Sequence, residues 1–316
     1  MRVLKFGGTS LGDADRIARA ARLVVEATRH DDRVVVVASA MAGVTDTLVE
    51  ALDLVAGGRS PAQPLRQHLG AHHLAVLDRL GVEPADRRVI ADGLHRRLLA
   101  MAEDLDGMAR RDRARAEERA RVLATGERLS TPMLAAAIRA RGRRAAAIDA
   151  TEVIVTDDTF LEARPDEAAT RRTARRRLAS LPLATVPVIT GFFGAEPGGQ
   201  PTLLGRGGSD VSATLLGAAL EARRVEIWTD VDGILTADPK RDRRARLYER
   251  LSYEEAERLA LDGAEVLHPR AVGPAARAGV PIEVRNSFHP ERAGTLIAAE
   301  GLEAARGSAA PVHRPS

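Results

Sequence analysis

Short apolar runs alternate with stretches of helical periodicity along most of the chain. Residues 3–6 and 34–39 are rich in β-branched side chains, and residues 13–30 between them place their apolar side chains at helical spacing. This pattern predicts a β-α-β unit. Similar apolar runs follow at residues 145–149, 186–190, 225–229, 282–284 and 295–298. The repetition predicts an α/β fold in which a mainly parallel sheet is covered by helices on both faces.

One region departs from this alternation. Residues 57–67 contain glycine, proline and serine and are predicted to form a loop, and the stretch from there to Arg121 is almost entirely helical in pattern. Residues 110–121 are dense in arginine, which is one property of a nucleic-acid arm. Glu117 and Glu118 interrupt the arginines, so a helix that faces solvent or another subunit is the favoured interpretation.

Composition narrows the class of protein. The 316 residues are 45% hydrophobic, enough to bury a large core or two lobes. The net charge is +3, but 44 acidic residues are spread among the basic ones and aromatics are only 3%, so we expect no nucleic-acid partner. The absence of cysteine excludes disulfides and thiolate metal sites. No apolar run approaches the roughly 20 residues that span a bilayer, so we expect a cytoplasmic protein without a membrane partner.

The chain uses lysine at only two positions, Lys5 and Lys240, although lysine and arginine together number 47. A lysine ammonium is a compact point charge that reaches a single phosphate oxygen, whereas arginine is a planar fork. Lys5 lies in the first apolar run and is followed by Gly7 and Gly8. This arrangement favours a phosphate site, and an ordinary strand-turn-helix connection is the alternative.

Two further clusters follow predicted strands, where ligands bind in parallel sheets. Residues 205–210 (GRGGSD) follow a strand and the loop 191–204, and they open a helical pattern from Val211, which suits an anion. Neither glycine cluster matches the Walker A or dinucleotide patterns. Residues 228–233 (WTDVDG) lead into the loop that carries Lys240. The remaining ligands of a calcium loop are missing, so these carboxylates are better suited to organise lysines or to hold Mg²⁺ and a nucleotide.

The ordered set of motifs resembles the catalytic domain of aspartate kinases, within the amino acid kinase family. It comprises residues 5–10 (KFGGTS), 126–130 (GERLS), 205–210, 229–239 (TDVDGILTADP) and 267–269 (LHP), and the resemblance covers residues 1–297. It implies a carbamate-kinase-like three-layer α/β/α sandwich. An N-terminal lobe, residues 1–185, would bind the amino acid and a C-terminal lobe, residues 186–298, would bind ATP. Residues 299–316 would be a flexible tail.

The resemblance also implies roles for individual residues in the phosphorylation of the L-aspartate β-carboxylate by ATP with Mg²⁺. Lys5 and Asp210 would be catalytic. The acceptor would contact Thr45, Glu127, Arg206, Gly207, Gly208 and Ser209. ATP would contact Lys5, Phe6, Gly7, Gly8, Thr229, Asp230, Leu235, Lys240, Glu265 and Val266. Arg206 suits the α-carboxylate and Glu127 the ammonium, and the acceptor is already ionised, so no general base is required.

Three features depart from the family pattern. Glu265 occupies the position of a lysine that contacts the nucleotide, and Leu235 that of a tyrosine. No C-terminal ACT regulatory domain follows Ile297, so we expect no feedback inhibition by lysine or threonine. Lys240 is the expected replacement for the missing positive charge.

Two alternatives therefore stay open: a kinase for another small amino-acid carboxylate, and a catalytically weakened regulatory paralogue. The family also implies a homo-oligomer, with residues 69–121 as a candidate surface, or a separate regulatory subunit.

Overall fold

A computed structural model describes residues 1–30, 33–111, 114–237, 245–262 and 267–299. Within these ranges the chain forms an eight-stranded sheet and a separate two-stranded hairpin. The large sheet contains β1 (Arg2–Phe6), β2 (Val34–Ala38), β3 (Ala145–Ile148), β4 (Val186–Thr190), β7 (Arg224–Thr229), β8 (Arg250–Ser252), β9 (Ile282–Asn286) and β10 (Thr295–Ala298). The hairpin consists of β5 (Phe193–Ala195) and β6 (Pro201–Leu203).

The strand order in the large sheet is β3-β4-β2-β1-β7-β9-β10-β8. The strands from β3 to β9 in this order run parallel, β10 is antiparallel to β9, and β8 is parallel to β10. The prediction of a mainly parallel sheet is therefore confirmed, and every strand expected from an apolar run is present. The pattern did not predict β5, β6 and β8, because a three-residue strand is too short to show a period.

Helices flank the sheet. They are α1 (Ala14–His30), α2 (Val44–Ala56), α3 (Ala62–Arg79), α4 (Pro84–Arg111), α5 (Ala116–Arg139), α6 (Glu167–Ala179), α7 (Gly208–Ala219), α8 (Tyr253–Leu261) and α9 (Pro269–Ala278). The loop predicted at residues 57–67 is shorter than expected, since α3 begins at Ala62. None of the helices in the described ranges combines the length and apolar character that a membrane crossing requires.

The central strands are buried on both faces. All residues of β1, β2 and β4 are buried, which explains why these strands appear in the sequence as continuous apolar runs. On one face α7 packs on β1, β2 and β7 and contacts α6 and α9. Helices α1 and α5 contact each other and β2, and they form the other helical layer. Lys5 is a charged residue inside one of these buried strands, so it requires a partner.

The lobe boundary at residue 185 stays a prediction. β4 begins just after it and pairs with both β2 and β3, so the sheet is continuous across that point. Of the predicted tail, residues 300–316 lie outside the described ranges.

Candidate active site

The candidate site lies at the carboxyl ends of the parallel strands. β1, β2, β4, β7 and β9 all end at the same edge, where the loops that follow them converge. Residues 7–11, called here the phosphate turn, follow β1 and include a 3₁₀ helix at Gly8–Leu11. Residues 229–234, called here the nucleotide loop, lie at and beyond the end of β7.

Lys5 and Asp210 form a buried ion pair at this edge. The Lys5 Nζ atom is 2.7 Å from Asp210 Oδ1, and the two side chains are only 11% and 12% exposed. Asp210 lies in the first turn of α7. A Cβ at Gly7 would lie 3.4 Å from Lys5 Nζ, so the glycine keeps the ammonium accessible from the phosphate turn. The pair thus holds the Lys5 ammonium at the start of α7 and leaves the side of the ammonium that faces the phosphate turn accessible.

The start of α7 depends on glycine. Gly205 and Gly207 adopt left-handed backbone conformations, with φ values of 77° and 69°. A Cβ at Gly207 would lie 2.3 Å from the Cβ of His268, so another residue would clash with that side chain. No side chain caps α7, and the N–H groups of Gly208 and Asp210 donate to the carbonyls of Gly205 and Gly207. What the helix start offers a ligand is therefore mainly the positive end of its dipole. A helix start of this kind is suited to an anion, and the anion site at residues 205–210 stays a prediction.

Glu127 is a buried carboxylate with an unused oxygen. It is 3% exposed on α5, and its Oε1 accepts a hydrogen bond of 3.0 Å from the Ala40 N–H. Its Oε2 has no hydrogen-bond partner among the described residues. Burial raises the pKa of Glu127 to about 8, although the Ala40 N–H and the charge of Lys5 oppose that rise. Such a carboxylate would be stabilised by a cationic ligand.

The other residues predicted to bind the acceptor lie at the starts of α2 and α7. Arg206 is exposed and forms no hydrogen bond or ion pair with the residues that the structure describes, so its guanidinium is available. Thr45 is half-buried in the first turn of α2, whose N-terminus has no side-chain cap. Ser209 and Gly208 are buried against the segment after β4, where a Cβ on Gly191 would approach Ser209 Oγ to 2.7 Å.

Three of the predicted nucleotide contacts lie at or beyond the end of β7. Thr229 is half-buried and donates to the exposed Asp230 carboxylate at 3.1 Å. Leu235 is half-buried and forms an isolated antiparallel bridge with Leu247.

Phe6 differs from the prediction of a nucleotide contact in one respect. Its ring is fully buried and stacks on Trp228 at a centroid distance of 6.3 Å, and its carbonyl accepts from the Ser39 N–H at 3.1 Å. Lys240, Glu265 and Val266 lie outside the described residues.

The sequence analysis assigned no role to His268, which the structure places beside the glycine cluster. His268 caps the N-terminus of α9, where its Nδ1 accepts from the Arg270 N–H at 3.3 Å. Burial and the nearby charges of Arg270 and Arg206 lower the pKa of His268, while Asp210 opposes the shift. A histidine directly before proline is a helix-start signal, but only the fold shows that it faces Gly207.

Comparisons with known proteins identify the family. Residues 1–286 match the sequence profile of the Amino acid kinase family. The chain is 37% identical over 305 residues to the aspartokinase of Chlamydia trachomatis, covering 96% of this chain and 66% of that protein. It is 36% identical to lysine-sensitive aspartokinase 3 of Escherichia coli, covering 93% of this chain and 63% of that protein.

A solved structure gives the same result. Escherichia coli aspartokinase III in complex with aspartate and ADP superimposes with a TM-score of 0.85 at 34% identity, covering 96% of this chain and 65% of that chain. This chain therefore spans less than two thirds of the length of these relatives.

Proposed function

This chain belongs to the amino acid kinase family, and we propose that it transfers the γ-phosphoryl group of ATP to the β-carboxylate of L-aspartate, forming 4-phospho-L-aspartate. The observation that carries the proposal is the unpaired Oε2 of buried Glu127, at the same edge of the sheet as the Lys5–Asp210 pair. A carboxylate beside a phosphate-binding lysine supports an acceptor with an ammonium group. The aspartate and ADP bound in the related structure support aspartate as the acceptor and an adenine nucleotide as the phosphoryl donor.

The acceptor would bind through its amino-acid head. Its ammonium would pair with Glu127, which then loses its proton, and its α-carboxylate would accept two hydrogen bonds from the exposed guanidinium of Arg206. These contacts leave the side-chain carboxylate as the group that faces the phosphate turn. Because that carboxylate is already ionised at neutral pH, the protein needs to position the nucleophile and does not need a base.

Lys5 would act on the transferring phosphoryl group. The charge on that group shifts between oxygens during transfer, and a point charge held by Asp210 stabilises it without reorganisation. The positive end of the α7 dipole would add to this field. Asp210 contacts Lys5 and is thus its positioning partner in this mechanism.

Magnesium would enter with the nucleotide. No group of three or more acidic or histidine side chains in the described ranges is placed to hold a metal ion. The exposed Asp230 carboxylate is the predicted nucleotide contact that would help to hold Mg²⁺. When bound, the ion would neutralise phosphate charge.

A coupled ADP-release assay with aspartate, glutamate and N-acetylglutamate tests the proposal. We expect turnover with aspartate alone, loss of turnover in Lys5→Ala, and a raised aspartate KM in Arg206→Ala and Glu127→Ala. Losing one member of a buried charged pair costs on the order of 2–5 kcal/mol, so each KM should rise by at least roughly thirtyfold. Turnover with glutamate but not aspartate would refute the acceptor assignment.

The departure at Glu265 supplies the competing proposal. A carboxylate there would oppose nucleotide phosphates, and a weakened paralogue would bind ADP without turning over any of the three acceptors. ADP binding measured beside the assay distinguishes the two functions. Homo-oligomer formation through residues 69–121 also stays a proposal, which sedimentation of the intact chain would test.

A further inference from the structure

The end of β9 connects the nucleotide loop to the phosphate turn through side chains that the sequence analysis did not assign. Asn286 is the last residue of β9 and is 6% exposed. Its Nδ2 donates to Asp232 Oδ1 at 2.7 Å and to the Asp230 carbonyl at 3.4 Å. Its Oδ1 accepts from the N–H groups of Phe288 and His289 at 2.8 and 3.3 Å. Both ends of the amide are therefore occupied in one orientation.

Ser287 continues the connection in the opposite direction. Its N–H and its hydroxyl both donate to the Thr229 carbonyl, at 2.8 and 3.0 Å. Its Oγ is also 2.8 Å from the Oγ of Ser10 in the phosphate turn. Each hydroxyl also has a carbonyl within reach of its single proton, Trp228 for Ser10 and Thr229 for Ser287, so either serine can donate in that contact. Ser10 Oγ additionally lies 3.3 Å from the Trp228 carbonyl.

We propose that Asn286 and Ser287, called here the clasp, are positioning residues that fix the spacing between the nucleotide loop and the phosphate turn. The inference rests on the proposed function, in which one nucleotide contacts both segments. β1 and β7 are neighbouring strands, and the Gly7 N–H donates to the Trp228 carbonyl at 3.1 Å, so the sheet itself holds the two strand ends in register. The clasp acts beyond those ends, where it contacts Ser10 and residues 229–232. Binding sites lose affinity when supporting side chains allow shifts of around 0.5–1 Å.

The chemistry of the clasp requires an amide at position 286. In Asn286→Asp a carboxylate oxygen would replace the donor that is 2.7 Å from Asp232 Oδ1, so attraction becomes repulsion. Changing Asp232→Asn in the same chain reverses donor and acceptor and restores the contact. Arg292, which donates to Asp232 Oδ2 at 3.0 Å in the native chain, remains next to the single carboxylate of the double variant. If the double variant recovers the binding that the single variant lost, the loss in the single variant was not caused by a general loss of stability.

ADP binding by calorimetry is the primary measurement, because it does not depend on the acceptor. We expect Asn286→Asp to weaken ADP binding by at least roughly tenfold, the effect of losing one buried hydrogen bond. The double variant Asn286→Asp/Asp232→Asn should recover to within about threefold of the native affinity. In the kinase assay the ATP KM should follow these changes, while the aspartate KM should change by less than about twofold.

Ser10 and Ser287 provide an independent test. Ser10→Ala and Ser287→Ala should each weaken ADP binding, and the double variant should be less than additive because both remove the same contact. Thr170→Val is the matched control. The Thr170 hydroxyl is fully buried on α6 and is hydrogen-bonded to the backbone of Val155, not to the nucleotide loop or the phosphate turn, so ADP affinity should not change.

Unchanged ADP binding in Asn286→Asp, or a double variant no better than the single one, would overturn the clasp. If the native chain binds ADP but does not phosphorylate aspartate, the proposed function fails while the calorimetric test of the clasp remains decisive. A native chain that binds no ADP would overturn both.

Discussion

Replacing Glu127 with glutamine tests whether the fold holds this carboxyl group in its protonated form. Glutamine keeps the shape and the acceptor for the Ala40 N–H, but it cannot ionise. The folded-state pKa of about 8 is raised from an ordinary value of 4.5, chiefly by burial. Because the pKa is raised, the folded state holds a proton that the unfolded state releases. The stabilising effect is complete below the unfolded pKa and is lost as pH rises towards 8.

The size of the effect follows from the folded and unfolded pKa values of Glu127. Each pKa unit between the folded and unfolded values contributes about 1.4 kcal/mol to the free energy of unfolding, and this stabilisation is lost progressively as pH rises from the unfolded pKa to the folded pKa. From about pH 5 to about pH 8 the native chain should therefore lose about 3 kcal/mol more stability than Glu127→Gln. The side chain is 3% exposed, so little screening reduces this figure.

Urea unfolding of both chains at several pH values measures the difference directly. Groups that titrate in both chains cancel, and a constant offset from the new buried amide does not alter the slope. Parallel stability curves for the two chains would refute the reasoning. Calorimetry adds a second test: at about pH 7, aspartate binding to the native chain should release about one proton, and in Glu127→Gln it should release none. Binding enthalpies that do not depend on the buffer would contradict proton release.

Three other predictions follow from single residues. Burial lowers the pKa of fully buried His73 from 6.5 to about 4, so its contribution to the free energy of unfolding is present above pH 6.5 and lost as pH falls towards 4. Over that interval the native chain should lose about 3 kcal/mol relative to His73→Leu in urea unfolding. Stability curves of the two chains that run parallel with pH would contradict this. Ala184 adopts φ 64° in an exposed turn, so Ala184→Gly should raise the free energy of unfolding by about 0.5–1 kcal/mol, and a lower thermal midpoint would count against it. Gly207→Ala should lower the free energy of unfolding by about 2 kcal/mol or more and raise the aspartate KM, because position 207 has a left-handed backbone and the new Cβ would lie 2.3 Å from the Cβ of His268. Wild-type stability and KM in this variant would show that the close contact of residue 207 with His268 is not required.

The sequence by itself determined the main strands and the position of the glycine turns. A strand buried on both faces requires a continuous apolar run, and a helix start that faces an anion requires small residues, so both leave local signals. Lys5 could also be identified from the sequence as a candidate site residue, because a charged residue inside a buried apolar run must have a partner or a ligand. The Gly205–Gly207 turn was recognisable for the same local reason, since positive φ values favour glycine.

Only the tertiary structure decided which distant groups meet. The reversed direction of β10, the clasp formed by Asn286 and Ser287, and the contact of His268 with Gly207 all join segments far apart in the chain. The raised pKa of Glu127 has the same origin, since burial depends on everything that packs around the side chain. Local periodicity reports which face of an element is apolar, but it carries no information about the element that will cover it.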